Sequence, residues 1–143
     1  MTYDLSRFIA AQERSYATAE REVSEGRKVS HWMWYIYPQL IGLGRSDTAL
    51  HYGIESLAEA TAYLDHPVLG PRLLHMMDLM LQHLDQPADM ILGPVDALKL
   101  RSCATLFSHV AGAPPVFAQV VEMFYDGTRC EVTEALLRKA QVA

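Results

Sequence analysis

The chain has little of what would settle its class at once. Only two of its 143 residues are cysteine, Cys103 and Cys130. That is too few for a disulfide framework and suits a reducing compartment. Lysine is scarce, at three residues against nine arginines. Acidic residues outnumber basic ones, 17 to 12, for a formal charge of −5. With a pI near 5.6, binding to nucleic acid by bulk charge is not expected. No apolar run nears the roughly 18 residues of a membrane span; the densest, Trp32–Tyr37, stops at Pro38. The N-terminus lacks the basic flank and apolar stretch of a signal peptide. These absences leave the expectation of a soluble, acidic, cytoplasmic protein with no membrane partner.

Catalytic and cofactor signatures are missing too. The chain has no G-x-x-x-x-G-K-[ST], G-x-S-x-G, H-E-x-x-H or C-x-x-C motif. Gly42-Leu43-Gly44 is followed by Arg45-Ser46, so the third glycine of a dinucleotide fingerprint is absent. No two of the six histidines stand four apart, and His75 and His83 lie two helical turns from each other. No metal and no cofactor is expected.

What is present reads as helix from end to end. Half of the residues are apolar and the mean hydropathy is +0.03, which excludes a disordered chain. Residues 4–25 carry Leu5, Phe8, Ile9, Tyr16, Ala19 and Val23 at helical steps, a face interrupted by Gln12. Arg7, Glu13, Arg14, Glu20, Arg21 and Glu22 fall mostly opposite, and Gly26 stands where a C′ glycine would end the helix. One or two turns are expected between an N-cap at Ser30 and the stop at Pro38. Ser46 is a cap for 47–52, and Ser56 with Glu59 makes a capping box for 57–65. A core helix over 71–85 presents Leu73, Leu74, Met77, Met80, Leu81 and Leu84. Pro94 opens a helix to Gly112, Pro114-Pro115 one to Asp126-Gly127, and Thr133 caps a last one. No strand-type alternation, repeat or linker interrupts this pattern. The fold class is all-α: a single domain, residues 1–143, of roughly six to eight helices with short connections.

Two segments carry residues with chemical potential. The first, Gly26 to Gln39, holds both tryptophans, Trp32 and Trp34, with His31, Tyr35 and Tyr37, shortly after the cations Arg27 and Lys28. Such rings fill cores well, but their polar tips need partners when buried. Composition favours a core plug over an aromatic-walled pocket with a cationic mouth. The second segment, Asp96 to Thr105, places Lys99 and Ser102 on one helical face with Asp96 a turn earlier. An Asp–Lys pair at this spacing is ordinarily a solvated pair worth a few tenths of a kcal/mol. Lys99 lies between Leu98 and Leu100, however, and a partly buried lysine there needs an anion.

At these segments the chain resembles the domain of unknown function (DUF) 1810 family of small bacterial proteins. The resemblance rests on Lys28-x-Ser30-His31-Trp32-Met33-Trp34-Tyr35-Ile36-Tyr37-Pro38-Gln39 and on Asp96-x-x-Lys99-x-Arg101-Ser102-x-x-Thr105-Leu106-Phe107. It extends over Gly42-Leu43-Gly44-x-Ser46 and Tyr63-Leu64-x-His66-Pro67-x-Leu69-Gly70-x-Arg72-Leu73. It implies an all-α fold and supplies no activity, cofactor or catalytic residue. At Tyr37 the family more often has Phe, so this chain adds one hydroxyl.

The function expected from these residues is binding of a small anionic ligand, nucleotide-like ones included. Lys28, Arg45 and Lys99 would hold the anion, with Gln39 and Ser102 as polar contacts. Trp32 or Trp34 would stack on a flat group, and His31 is the candidate general acid or base. The alternative is a helical protein–protein interaction module without catalysis. It would dock through a Met76/Met77/Met80/Met90 surface or the aromatic block. The site is expected to bring Lys28 or Arg45 against Lys99 and Ser102 beside an indole, unless Asp96 or another carboxylate saturates Lys99.

Overall fold

The computed structural model describes residues 3–142, with side chains through residue 140. Nine helices occupy the described residues: α1 (Ser6–Ser24), α2 (Met33–Ile36), α3 (Asp47–Tyr52), α4 (Leu57–Asp65), α5 (Leu69–Leu81), α6 (Ala88–Leu92), α7 (Pro94–Ser108), α8 (Val116–Tyr125) and α9 (Glu131–Val142). No strand forms among them; Leu40 and Ile54 make an isolated parallel bridge. The all-α class holds, with three helices of only four to six residues raising the number.

Local hydrogen bonding explains most boundaries. Gly26 takes φ 78° just past α1, a left-handed conformation that suits glycine. Ser46 Oγ accepts from Ala49 N–H and Ser56 Oγ from Glu59 N–H, each at 3.1 Å. Glu59 returns the bond one residue early: its Oε1 accepts from Glu55 N–H at 2.7 Å rather than from Ser56. Pro94 opens α7 as an N1 proline.

Several boundaries differ from the sequence reading. Ser30 does not cap α2; Trp32 stands at that position without a side-chain cap bond, because the Ser30 hydroxyl is bound to Glu22. Thr133 does not cap the last helix. It is buried within α9, and the first intrahelical bond runs from Glu134 N–H to Cys130 O. The core helix over 71–85 begins earlier, at Leu69, and ends at Leu81, so Leu84 is exposed. Helix α6 follows Pro87, which offers no side-chain cap to read.

Packing centres on α7, which contacts α4, α6, α8 and α9, while α5 joins α1, α4 and α8. Ser102 to Phe107 are buried without a break, the signature of a helix enclosed on all sides. Phe8 meets Tyr63 edge-on at 5.0 Å between centroids, and Phe107 stacks on Phe117 at 5.5 Å. Gln12 breaks the apolar face of α1 yet is buried with its amide satisfied. Its Nε2 donates to Tyr35 O at 2.8 Å and to Tyr63 Oη at 3.0 Å, and its Oε1 accepts from Arg72 at 3.3 Å. The Tyr37 hydroxyl donates to Met76 O at 2.6 Å, which accommodates the extra hydroxyl inside the core. Met76, Met77 and Met80 are buried, leaving Met90 exposed; the methionines therefore form no common surface. No helix among the described residues is long and apolar enough to cross a membrane.

Candidate functional site

The segment between α1 and α2 is organised by one carboxylate. Glu22, read from the sequence as part of the polar face, is buried and takes four donors. These are Val29 N–H at 2.8 Å, Ser30 N–H at 2.9 Å, Ser30 Oγ at 2.7 Å and Trp32 Nε1 at 2.9 Å. Burial works against its ionisation, but the bonds from Ser30, Val29 and Trp32 prevail and hold its pKa at about 2. This clamp fixes the turn that carries Lys28 and seats Trp32 in the core. Trp32 and Tyr37 are thus part of a core plug, while Trp34 is only half-buried.

Lys28 leaves that turn beside α6, its own N–H donating to Ile91 O at 2.7 Å. Its ammonium donates to Ser30 O at 2.6 Å and pairs with Asp96 Oδ2 at 2.9 Å. The side chain is 8% exposed. Asp96 sits in the first turn of α7, where a negative charge suits the helix dipole. Its other oxygen, Oδ1, takes Lys99 at 3.2 Å. Burial raises the pKa of Asp96, and the hydrogen bonds from Lys28 and Lys99 outweigh that to leave it lowered.

Each ammonium also lies over an indole. Lys28 Nζ is 5.0 Å from the Trp32 ring centroid and Lys99 Nζ 4.0 Å from that of Trp34. A Cβ at Gly44 would lie 3.5 Å from Trp34 Cη2, so the Gly42–Gly44 loop runs against the edge of this ring, and the exposed Arg45 follows it in sequence. The two sequence segments therefore do converge: Lys28, Trp32, Trp34 and Lys99 form one cluster. Its centre is Asp96, which the sequence presents as half of a local surface pair. The signal that could have exposed its role is the apolar flank of Lys99 combined with the scarcity of lysine.

The remaining expected residues lie apart or at the edge. Ser102 is not part of the cluster; its hydroxyl lies within hydrogen-bond distance of Leu98 O, at 3.1 Å, and of Cys130 Sγ, at 3.2 Å, and shares its one hydrogen between them. The i, i+3 face shared with Lys99 is undone because α7 is enclosed at Ser102 and open at Lys99. Gln39 is buried and its carbonyl accepts from Ile54 N–H. His31 and Arg45 are exposed. Among the described residues no three His, Cys, Asp or Glu side chains gather as a metal site.

Chemically, the cluster holds two cations and one carboxylate. Lys28 is nearly enclosed, whereas Lys99 and Asp96 are 20% and 19% exposed. Among the described residues Lys99 has one hydrogen-bond acceptor, Asp96, for three N–H donors. The arrangement can offer an anion one positive charge beside an aromatic face.

Comparison with known proteins bears on the fold and the family. A crystal structure of the conserved hypothetical protein Rv1873 from Mycobacterium tuberculosis, at 1.38 Å, superposes with a TM-score of 0.93. It shares 44% identity, covering 95% of this chain and 97% of that one. No protein with a curated description matches significantly. The family model described as "Protein of unknown function (DUF1810)" matches residues 2–137, and the chain belongs to that family.

Proposed function

We propose that the protein binds a small anionic ligand, nucleotide-like ligands included, at the cluster of Lys28, Asp96, Lys99 and Trp34. The observation that carries this reading is the sharing of one carboxylate by two lysines. Two ammonium groups on one carboxylate leave an excess positive charge, which is costly in a partly enclosed place unless an anion joins them. Lys99 would contact the anion, Trp34 would stack on a flat group at its rim, and Arg45 would close the site from the Gly42–Gly44 loop. Lys28 and Asp96 would position Lys99. His31, exposed beside Trp32, is the candidate acid or base for any chemistry on the ligand.

A thermal-shift screen of nucleotides, sugar phosphates and small carboxylates tests the reading. A ligand at about 100 times its Kd should add roughly 2.7 kcal/mol to apparent stability. The shift should vanish in Lys99→Met and weaken in Trp34→Leu. A shift that survives Lys99→Met would place the ligand elsewhere.

A second reading, a docking face for another protein, draws on Val29, Met90, Val95 and Leu98, all more than half exposed. Val29 adjoins Lys28, and Val95 and Leu98 flank Asp96 and Lys99 in sequence. Scattered apolar side chains are common on any surface, so this reading is the weaker one. It expects no anion in the screen to shift melting.

A further inference from the structure

A second feature of the fold lies well away from the lysine cluster. His109, at the C-cap of α7, is about 15 Å along the helix from Lys99 at the usual rise per residue. Its Nε2 donates to Glu134 Oε1 on α9. The pair sits in the wall of a cleft of about 450 Å³ between the start of α4, the end of α7 and α9. That volume falls in the range of small-molecule sites. Leu40, Leu57, Leu136 and Leu137 supply the apolar wall, and Glu55, Glu134 and Arg138 the charged groups.

The charges decide what could enter. Two carboxylates, Glu55 and Glu134, share the cleft with one guanidinium, Arg138, so carboxylates outnumber guanidinium groups in its lining. The start of α4, which also borders the cleft, would ordinarily favour an anion. Here that end is already occupied. The Ser56 hydroxyl accepts from Glu59 N–H, and the Glu59 carboxylate lies in the same first turn, accepting from Glu55 N–H. An entering carboxylate would meet Glu55 and Glu134. An entering ammonium would meet Glu134, whose Oε2 makes no hydrogen bond among the described residues, Oε1 being held by His109.

We propose that this cleft is a binding site for a small organic ammonium compound with an apolar body. The apolar part lies against Leu57, Leu136 and Leu137, and the ammonium donates to Glu134. His109 is a positioning residue: by bonding Oε1 it fixes the carboxylate so that Oε2 is presented to the ligand. The cleft residues include none of the lysine cluster, so this inference stands or falls independently of the anion reading.

The test is a titration of the full chain, followed by amide NMR shifts, with three matched probes: 4-phenylbutylamine, 4-phenylbutanol and 4-phenylbutanoate. The amine should bind saturably with a Kd on the order of 1 mM or tighter, perturbing the amides of Ala58 and Leu137. It should bind at least about fivefold tighter than the alcohol and the carboxylate. Glu134→Gln should remove that preference by weakening the amine more than the alcohol, and Lys99→Met should change nothing. Ala58→Trp, at an exposed position on the rim, should weaken all three by blocking the mouth. The proposal is overturned by non-saturable amine binding, by a carboxylate that binds as tightly as the amine, or by perturbed amides away from the cleft. Should Glu134→Gln fail to fold, the ranking of the three probes on the unaltered chain and the Ala58→Trp result still decide.

Discussion

Lys28 and Asp96 form an ion pair of 2.9 Å in which the lysine is 8% exposed, and they join the turn after α1 to the first turn of α7. The two ends of this contact are far apart in sequence, so it closes the domain as well as building the candidate site. A nearly enclosed charge that loses its partner costs far more than an exposed one. Asp96→Asn should therefore strand Lys28 and destabilise by roughly 3 kcal/mol or more. Lys28→Met leaves Asp96 paired with Lys99 and removes the ammonium along with its partners, so it should cost less than Asp96→Asn. Lys99→Met leaves Asp96 paired with Lys28 and should change stability by less than about 1 kcal/mol. Urea unfolding of the three variants measures the contrast; equal losses would mean that Lys28 and Lys99 are equivalent.

Glu22 gives the protein an acid-sensitive clamp. Its pKa in the fold is about 2, below the ordinary value of 4.5, so the unfolded chain takes up the proton first as pH falls. Its contribution is fully present above about pH 5 and is lost as pH falls toward 2. Glu22→Gln should lower stability at neutral pH and flatten the stability profile between about pH 5 and 2. Chemical unfolding at several pH values measures both, and an unchanged slope in the variant would remove Glu22 as the cause.

How much of this was legible in the sequence follows from the range of each interaction. Ser46, Ser56, Gly26 and Pro94 were readable because a cap or stop acts within a few residues of itself. The lysines and tryptophans were identifiable as unusual because their composition is unusual. Glu22 was not, because helical period places it with Glu20 and Arg21 and says nothing of donors arriving from Val29, Ser30 and Trp32. Asp96 was read as half of a local pair for the same reason; its stronger partner, Lys28, comes from another segment. Thr133 had the composition of a cap, yet the helix starts earlier and buries it. His109 and Glu134 gave no signal at all, since their pairing exists only once α7 and α9 pack together.

The two cysteines, both free, occupy opposite electrostatic settings. Cys103 is enclosed in the core, and burial raises its thiol pKa well above the ordinary value. Burial also acts against the Cys130 thiolate, but the hydroxyl of Ser102 and the backbone N–H groups of Thr133 and Val132 at the start of α9 overcome it, leaving the pKa lowered. Cys130 should alkylate under native conditions before Cys103. Ser102→Ala should move the pH midpoint of that reaction upward. Mass spectrometry of partially alkylated native protein identifies the first site, and modification of Cys103 ahead of Cys130 would contradict the assignment.

Gly70 offers a test in which helix propensity and packing call for opposite signs. It lies in the first turn of α5, where replacing glycine by alanine would ordinarily stabilise a helix by up to about 1 kcal/mol. A Cβ at this position, however, would stand 2.0 Å from the carbonyl oxygen of Leu64 in α4. That atom is backbone within a hydrogen-bonded helix, so no rotamer change can move it aside. The short connection at His66 and Pro67 holds the two helices together here, with Gly70 N–H donating to His66 O at 3.0 Å. Relief requires α4 and α5 to separate, which would loosen Tyr63 and Leu73 in the core. Overpacking of this kind costs about 1–3 kcal/mol, and a backbone contact belongs at the upper end. Gly70→Ala should therefore lower stability by roughly 2–3 kcal/mol despite the gain in propensity. Equilibrium unfolding decides the sign, and a stabilised variant would show that α4 and α5 approach less closely than these contacts require.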